Sequence, residues 1–232
     1  MYDGASIPVY LEKIFVIQLV CNFDLQNYPF DSQFCELTIV LNDVSDDFVI
    51  LIPRKVDYTG NRKLSEYEVS TIRSNNIVKD GFSGQQIIIE FENMYLYYIT
   101  STYVPTFLLM NVSYLTFWFE LEDFSNRIMV SLTSLLVLAA LFSQISSGLP
   151  STSYLKLIDI WFLCCIIVDF IVIVLLVVIS KNVRKVSAYK PTCSRFYDRI
   201  DGKFLNRMSK IILFVVFATF AVFYIMYVSM LS

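Results

Sequence analysis

The chain of 232 residues contains no histidine, so it lacks the side chain that serves most often as a general base and as a metal ligand. It has only six glycines, and none of them belongs to a phosphate-binding loop. The sequence also shows no metal-ligand cluster and no activated nucleophile. We therefore predict that the protein is not an enzyme and that it holds no metal and no cofactor.

Charged residues are scarce, at 17% of the chain, and they are unevenly distributed. Residues 1–95 carry seven basic and fourteen acidic side chains, a net charge of −7, whereas residues 181–207 carry eight basic and two acidic ones, a net charge of +6. Because basic loops stay on the cytosolic side of a membrane, we predict an extracellular first half and a cytosolic loop at 181–207. The basic patch lies between two apolar helices, so topology explains it better than nucleic acid, which we do not expect as a partner.

Long apolar runs raise the mean hydropathy to +0.59 and indicate membrane segments. We predict four membrane helices, at about 97–119, 127–146, 154–180 and 208–231. With the first half outside, four crossings place the N-terminus and the C-terminus on the extracellular side. Pro105 predicts a kink in the first helix. Asp169, inside the third, is either a gating or ion-path group or a hydrogen-bonded side chain that faces a neighbouring helix.

The first half has the composition of a β domain. Strands are predicted at 13–21, 34–41, 66–73 and 85–92, with turn residues at Asn75-Asn76 and Asp80–Gly84 between the last two. These strands are too few to close a two-sheet sandwich, and no signal peptide is visible. The sequence therefore predicts an α+β membrane protein, a partial β-sandwich ectodomain followed by a four-helix transmembrane bundle, and we expect it to be the C-terminal part of a longer protein.

Several short motifs follow one another along the chain. Cys21 and Cys35 enclose thirteen residues that include Tyr28-Pro29-Phe30-Asp31. Further on come Tyr97-Tyr98, Tyr103-Val104-Pro105, Phe117-Trp118 and the string from Leu149 to Trp161. From about residue 9 to its end the chain resembles the Cys-loop, or pentameric ligand-gated, ion channel family. The resemblance is closest to its anion-channel branch, which holds the glycine and GABA receptors and divergent invertebrate chloride channels.

The resemblance implies two domains, the C-terminal part of an extracellular ligand-binding β-sandwich at 1–95 and a transmembrane domain at 96–232. It also implies a disulfide between Cys21 and Cys35, although two unrelated buried cysteines are the alternative. We expect Cys164, Cys165 and Cys193 as thiols, since they fall in an apolar helix and on the cytosolic side.

By the same resemblance the second helix lines a pore. Its expected pore-lining residues are Arg127, Met129, Thr133, Leu136, Ala140 and Ser143. Leu136 coincides with the family's gate leucine, the alternative being that it only packs in a bundle. Ion selectivity is expected at Ser125, Asn126 and Arg127, where the glutamate of cation channels is absent, although Glu122 and Asp123 lie close by.

Agonist binding and its coupling to the gate are also implied by the resemblance. The expected ligand-binding residues are Phe82 and Asn42, and the expected coupling residues are Tyr28, Pro29, Phe30, Asp31 and Lys156. Asn93 replaces the arginine that the family usually places before the first helix, so Asp31 lacks its expected partner.

The chain is thus expected to be a plasma-membrane subunit of a pentameric neurotransmitter-type channel, chloride-conducting, with a small extracellular agonist. Its other partners would be four further homologous subunits and membrane lipid. The alternatives are a non-conducting, regulatory or truncated subunit, a cation-conducting member of the family, and an unrelated four-helix membrane protein.

Overall fold

The computed structural model describes residues 13–52, 56–188 and 202–231. Cys193 and residues 189–201 of the predicted cytosolic loop lie outside the described residues. The chain divides into two compact units, which do not follow a single boundary at residue 95. One unit holds Met1–Phe23, Phe34–Gly60 and Ser70–Glu90, and the other holds Asp24–Gln33, Asn61–Val69 and Phe91–Ser232.

A three-stranded sheet precedes the helices, with strands in the order β1-β3-β2. The strands are β1 (Ser32–Val40), β2 (Tyr67–Lys79) and β3 (Phe82–Asn93). Asp80 and Gly81 join β2 to β3 with φ angles of +54° and +79°. Two-residue hairpin loops favour Asp-Gly because both positions need a positive φ. The turn predicted there is confirmed, whereas Asn75 and Asn76 lie inside β2, which is longer than predicted.

The strand predicted at 13–21 does not form, so that prediction is wrong. Ile14, Val16 and Val20 are exposed, and no described strand pairs with this segment. A strand needs a hydrogen-bonding neighbour, which its own side-chain pattern cannot supply. Residues 13–21 therefore have the composition of a strand but form none.

The first predicted membrane helix occurs as four consecutive helical segments between residues 96 and 118. They are α1 (Leu96–Tyr98), a π-helical turn (Ile99–Tyr103), α2 (Val104–Leu115) and a 3₁₀ turn (Thr116–Trp118). Pro105 lies in the first turn of α2, where its missing N–H does least damage. A π-helical turn lies just before Pro105, and the kink predicted at Pro105 stays a prediction.

Three longer helices follow, each with bounds that differ from the apolar run that predicted it. They are α3 (Phe124–Gly148), α4 (Leu157–Ala188) and α5 (Gly202–Leu231). α3 begins before Arg127 because Asp123 caps it, accepting a hydrogen bond from the Asn126 N–H at 3.3 Å. α4 and α5 extend into polar sequence, since helical hydrogen bonding does not stop where apolar residues do.

The core of the helical part forms around one stripe of α4. Trp161, Cys165, Val168, Val172 and Leu176 recur at helical spacing and are buried. Residues from the other three helical regions pack on this stripe, namely Met110, Phe117, Leu138, Leu213 and Tyr224.

By length and composition, three helices in the described part of the chain are candidates to cross a membrane. They are Phe124–Gly148, Leu157–Val183 and Gly202–Leu231. The segments between residues 96 and 118 are individually too short to count among them. The structure therefore has a small β-sheet followed by helices with three candidate membrane spans.

Candidate pore face and coupling site

The loop that contains Tyr28 is joined to the start of α4 by backbone hydrogen bonds. The Leu157 N–H donates to the Gln26 carbonyl at 2.9 Å, and the Ile158 N–H donates to the Tyr28 carbonyl at 3.2 Å. The first N–H groups of a helix have no partner inside the helix, so they need an external acceptor. The Tyr154 hydroxyl adds a third contact by accepting from the Leu25 N–H at 3.0 Å. The loop backbone thus caps α4.

Aromatic packing holds the tip of the same loop. Tyr28 is buried and lies edge-on to Tyr98, with 5.0 Å between ring centroids. Phe30 lies 5.5 Å from Tyr95 and 5.9 Å from Tyr103 by the same measure. Tyr28 and Phe30 therefore pack on the first helical segments, and the Tyr28 carbonyl also contacts the start of α4.

Asp31, which has no arginine beside it, is held by three neutral donors. The Asn93 Nδ2 donates to Asp31 Oδ1 at 2.9 Å, the Tyr67 hydroxyl donates to Oδ2 at 3.0 Å, and the Gln33 Nε2 also donates to Oδ2. Burial raises the pKa of the Tyr67 phenol, and the Asp31 carboxylate raises it further, so Tyr67 stays a donor at neutral pH. Neutral amides and a phenol satisfy the oxygens of Asp31 but do not cancel its charge.

Lys156 lies at the other end of the expected coupling path. Its side chain is buried, and Nζ donates to the Pro150 carbonyl at 3.1 Å. Its backbone N–H donates to Asp159 Oδ2 at 3.2 Å, which fixes the start of α4. Lys156 therefore links the start of α4 to the Pro150 carbonyl of the preceding linker.

Cys21 and Cys35 are disulfide-bonded, with 5.4 Å between their Cα atoms, so the pairing implied by the resemblance is confirmed. Cys164 and Cys165 are free thiols, as expected.

α3 has one face that no other part of the described chain covers. Leu136 is 72% exposed and Met129 is 63% exposed. Thr133, Ala140 and Ser143 are exposed as well, and all five recur at intervals of three and four residues. The structure thus brings five of the six expected pore-lining residues onto one open helix face.

Arg127, the sixth, lies on the opposite face with Ser131, Ser134 and Leu138, and is only 2% exposed. Its Nε donates to the Thr116 carbonyl at 3.0 Å, and its Nη2 donates to Asn206 Oδ1 at 2.7 Å. The guanidinium needs these acceptors because it is removed from water. Arg127 is therefore placed behind the open face and not on it, which corrects its expected position.

The residues expected to set selectivity stand at the N-terminus of α3. Ser125 and Asn126 are exposed, and the Asn126 Nδ2 donates to Asp123 Oδ2 at 2.6 Å. A carboxylate at a helix N-terminus is stabilised by the helix dipole, so the Asp123 charge is partly compensated there.

The two residues expected to bind ligand lie on neighbouring segments. Phe82 is half-buried at the start of β3, and Asn42 is exposed just after β1. The Leu41 N–H donates to the Ser83 carbonyl at 3.1 Å, which joins the residue before Asn42 to the residue after Phe82. The structure therefore brings the two residues into one region.

Asp169 is fully buried and accepts a hydrogen bond from the Ser113 hydroxyl of α2. This contact agrees with the alternative of a hydrogen-bonded side chain that faces a neighbouring helix. On α5, Phe217, Phe220 and Tyr224 pack around Trp161, while Phe214 is exposed.

Four residues of the site were not identified from the sequence, namely Gln33, Tyr67, Tyr154 and Asn206. Tyr67, Tyr154 and Asn206 act through contacts far along the chain, up to 129 residues for the bond from Leu25 to Tyr154, whereas Gln33 bonds to Asp31 two residues away. The sequence offered one signal for some of them. Asp31 lacks its expected arginine, so a buried Asp31 must find neutral hydrogen-bond donors elsewhere in the chain.

Comparison with known proteins identifies relatives of this chain. The family described as neurotransmitter-gated ion-channel transmembrane region matches residues 102–218. A serotonin-gated chloride channel of Caenorhabditis elegans is 30% identical over 72% of this chain and 35% of its own length. A gamma-aminobutyric acid receptor beta subunit of Lymnaea stagnalis is 27% identical over 67% of this chain and 33% of its own length. The glycine receptor beta subunit of Rattus norvegicus is 25% identical over 84% of this chain and 41% of its own length.

The chain belongs to the Cys-loop, or neurotransmitter-gated, ion channel family, in the branch that holds the anion channels. Members of this family are ion channels and not enzymes. The chain spans about a third of the length of the first relatives it matches.

Proposed function

We propose that this chain is a subunit of a pentameric, ligand-gated chloride channel of the plasma membrane. The single observation that carries the proposal is the open face of α3, where Met129 and Leu136 stand among the small residues Thr133, Ala140 and Ser143 without cover from the described part of the same chain. An exposed Leu136 on a membrane helix contacts either lipid or copies of itself around a pore. The neighbouring hydroxyls of Thr133 and Ser143 favour the pore, since they gain from water.

In this proposal five α3 helices surround the pore, and Leu136 forms its gate. Five leucine side chains at one level make a narrow apolar collar, which excludes water and ions when it is closed. Arg127 does not enter the pore. It anchors the base of α3 from behind, through the Thr116 carbonyl and Asn206.

The topology has four crossings and both termini outside. Residues 96–118 supply the first crossing in spite of their π-helical and 3₁₀ turns, because other helices satisfy carbonyls at their end: Arg127 of α3 donates to Thr116 and Asn206 of α5 donates to Phe117. The boundaries would be an extracellular part at 1–95 and a transmembrane part at 96–232. The net charges of −7 at 1–95 and +6 at 181–207 support this orientation.

A small extracellular agonist is proposed to bind near Phe82 and Asn42. Phe82 offers a ring face to an amine, and Asn42 offers an amide. The signal would reach α4 through the loop 24–33, because that loop supplies the carbonyls on which α4 begins. Lys156, which holds the linker to its own Pro150 carbonyl, would move with the start of α4.

Chloride selectivity is proposed from the absence of an acidic ring at Asn126. The exposed Ser125 and Asn126 present neutral groups at a helix N-terminus, whose N–H groups favour anions. Exposed Glu122 supports the second candidate, a cation-conducting member of the family, because its carboxylate stands near the same mouth.

The proposal is tested on the full chain, purified and reconstituted into planar bilayers under a tenfold KCl gradient. Leu136→Thr wets the collar, so it should give spontaneous current whose reversal potential follows chloride. Leu135→Thr is the matched control, because Leu135 is half-buried and lies one helix position away. A silent Leu136→Thr chain that still assembles would favour a non-conducting subunit, and reversal at the potassium potential would favour the cation channel.

Subunit number is measured separately by native mass spectrometry of the chain in lipid nanodiscs. Five copies are expected. A monomer, dimer or tetramer as the dominant species would overturn the pentamer.

A further inference from the structure

A cavity of about 750 Å³ lies in the unit that contains the helices. Its inner wall is aromatic, with Tyr103, Trp161 and Tyr224 in mutual contact at 5.1 to 6.0 Å between ring centroids. The Tyr103 and Tyr224 hydroxyls share a hydrogen bond of 2.6 Å, and the Trp161 Nε1 donates to the Thr106 hydroxyl at 2.9 Å. The polar groups of these three rings thus all have hydrogen-bond partners within the chain, and the rings line the cavity. Its volume suits a small amphipathic molecule.

The rim of the cavity carries negative charge. Asp31 and Glu92 both line it, and no lysine or arginine is among its lining residues. Asp31 is 7% exposed and has only neutral donors, so its charge is not cancelled by a partner. Glu92 is exposed and forms no ion pair within the described chain. Phe30 and Tyr95 stand beside these carboxylates and add two more rings.

We propose that this cavity binds an organic cation with an apolar tail, such as a long-chain amine. The ammonium group would lie between Asp31 and Glu92, where both carboxylates and the ring faces attract it. The tail would lie along Phe107 and the end of α5, which are apolar. An anionic headgroup would be repelled by the two carboxylates, and a neutral alcohol would gain nothing from them. The site does not use Phe82 or Asn42, so it is additional to the proposed agonist site.

The experiment uses tryptophan fluorescence, because the chain contains only two tryptophans. Trp118→Phe leaves Trp161, in the cavity wall, as the sole reporter. The probe is decyltrimethylammonium with a bromine at the end of its tail, since bromine quenches on contact. The reference is decanol with the same bromine, which measures partition into the membrane alone. The full chain is held in nanodiscs of neutral lipid.

We expect saturable quenching of Trp161 by the cation at concentrations at least tenfold below those needed for the alcohol. Glu92→Gln should weaken binding of the cation about two- to fivefold, as removal of one exposed charge does, and Glu92→Lys should weaken it further. Glu122→Gln is the matched control, because Glu122 is exposed but does not line the cavity, and it should change nothing. With Trp161→Phe, the remaining Trp118 should show no saturable quenching.

Equal quenching by cation and alcohol would overturn the proposal and leave a lipid tail as the occupant. Insensitivity to both substitutions at Glu92 would overturn it too. Thermal unfolding of the unaltered chain gives a second measurement that needs no variant. A ligand that binds only the folded chain raises the unfolding midpoint, so the cation should raise it at concentrations where the alcohol does not. No rise with the cation would count against the site.

Discussion

Asp31 illustrates at the scale of the residue how a charge can be held without an opposite charge. The three donors from Gln33, Tyr67 and Asn93 occupy both carboxylate oxygens. Hydrogen bonds from neutral groups orient the carboxylate, whereas an arginine would both orient it and neutralise its charge. In this chain the loop aspartate is therefore held by hydrogen bonds from neutral groups alone.

Asn93→Ala should lower the free energy of unfolding by about 1–3 kcal/mol, since it leaves a buried carboxylate oxygen without its donor. The measurement is thermal or denaturant unfolding of the full chain in detergent. Asn76→Ala is the control, because Asn76 is an exposed asparagine within β2. Equal stability of both variants would show that Asn93 contributes little to holding Asp31.

Peptide mapping without reductant should recover Cys21 and Cys35 in one linked species. Cys164 and Cys165 should label as thiols, the buried Cys165 only after unfolding. Reduction of the disulfide should cost about 3 kcal/mol, because it frees a short closed loop in the unfolded chain. Recovery of both cysteines as free thiols would contradict the pairing.

At the scale of the element, the ends of helices are tied together by polar groups. Asn206 of α5 accepts from Arg127 of α3 and donates to the Phe117 carbonyl at 3.0 Å. One amide thus joins three helical segments, because it can accept and donate at once. The base of the helix that carries Leu136 is thereby fixed by a residue 79 positions away.

Asn206→Ala should destabilise the chain by about 1.5–3 kcal/mol, because a charged group loses its acceptor in a buried site. Asn206→Asp keeps an acceptor for Arg127, so its stability should lie closer to that of the unaltered chain. Thr219→Ala, at an exposed position of the same helix, is the control. The measurement is the unfolding midpoint in detergent, and a loss in Asn206→Asp as large as in Asn206→Ala would contradict the link.

At the scale of the whole molecule, we expect the charge at the mouth of the proposed pore to decide which ion passes. A pentamer repeats each side chain five times around one axis, so a single substitution changes five charges in a narrow and poorly screened space. The present mouth combines neutral Asn126, capping Asp123 and exposed Glu122.

Asn126→Glu, in the spontaneously open Leu136→Thr background, should shift the reversal potential from chloride toward potassium. Five added carboxylates attract cations, and the donor to Asp123 is lost as well. Glu122→Gln removes a carboxylate and should not shift the potential toward potassium. An unchanged reversal potential in Asn126→Glu would move the selectivity filter away from this position.

The sequence by itself determined the order of parts and much of the local structure. The Asp80-Gly81 turn follows from side chains that tolerate a positive φ, and the long helices follow from apolar runs. The five-residue face of α3 follows from helical periodicity, which depends only on spacing. Each of these properties is set by residues close together in the chain.

Only the tertiary structure decided which side chains are covered and what they bind. Nine residues are about two and a half turns of an α-helix, so Arg127 lies on the side of α3 opposite Leu136. The tertiary structure supplies the Thr116 carbonyl and Asn206 as the acceptors that its buried guanidinium needs. The strand predicted at 13–21 has the right residues and no described neighbour. The donors to Asp31 come from residues up to 62 positions away. Burial and hydrogen bonding depend on contacts between distant segments, and local sequence does not encode those contacts.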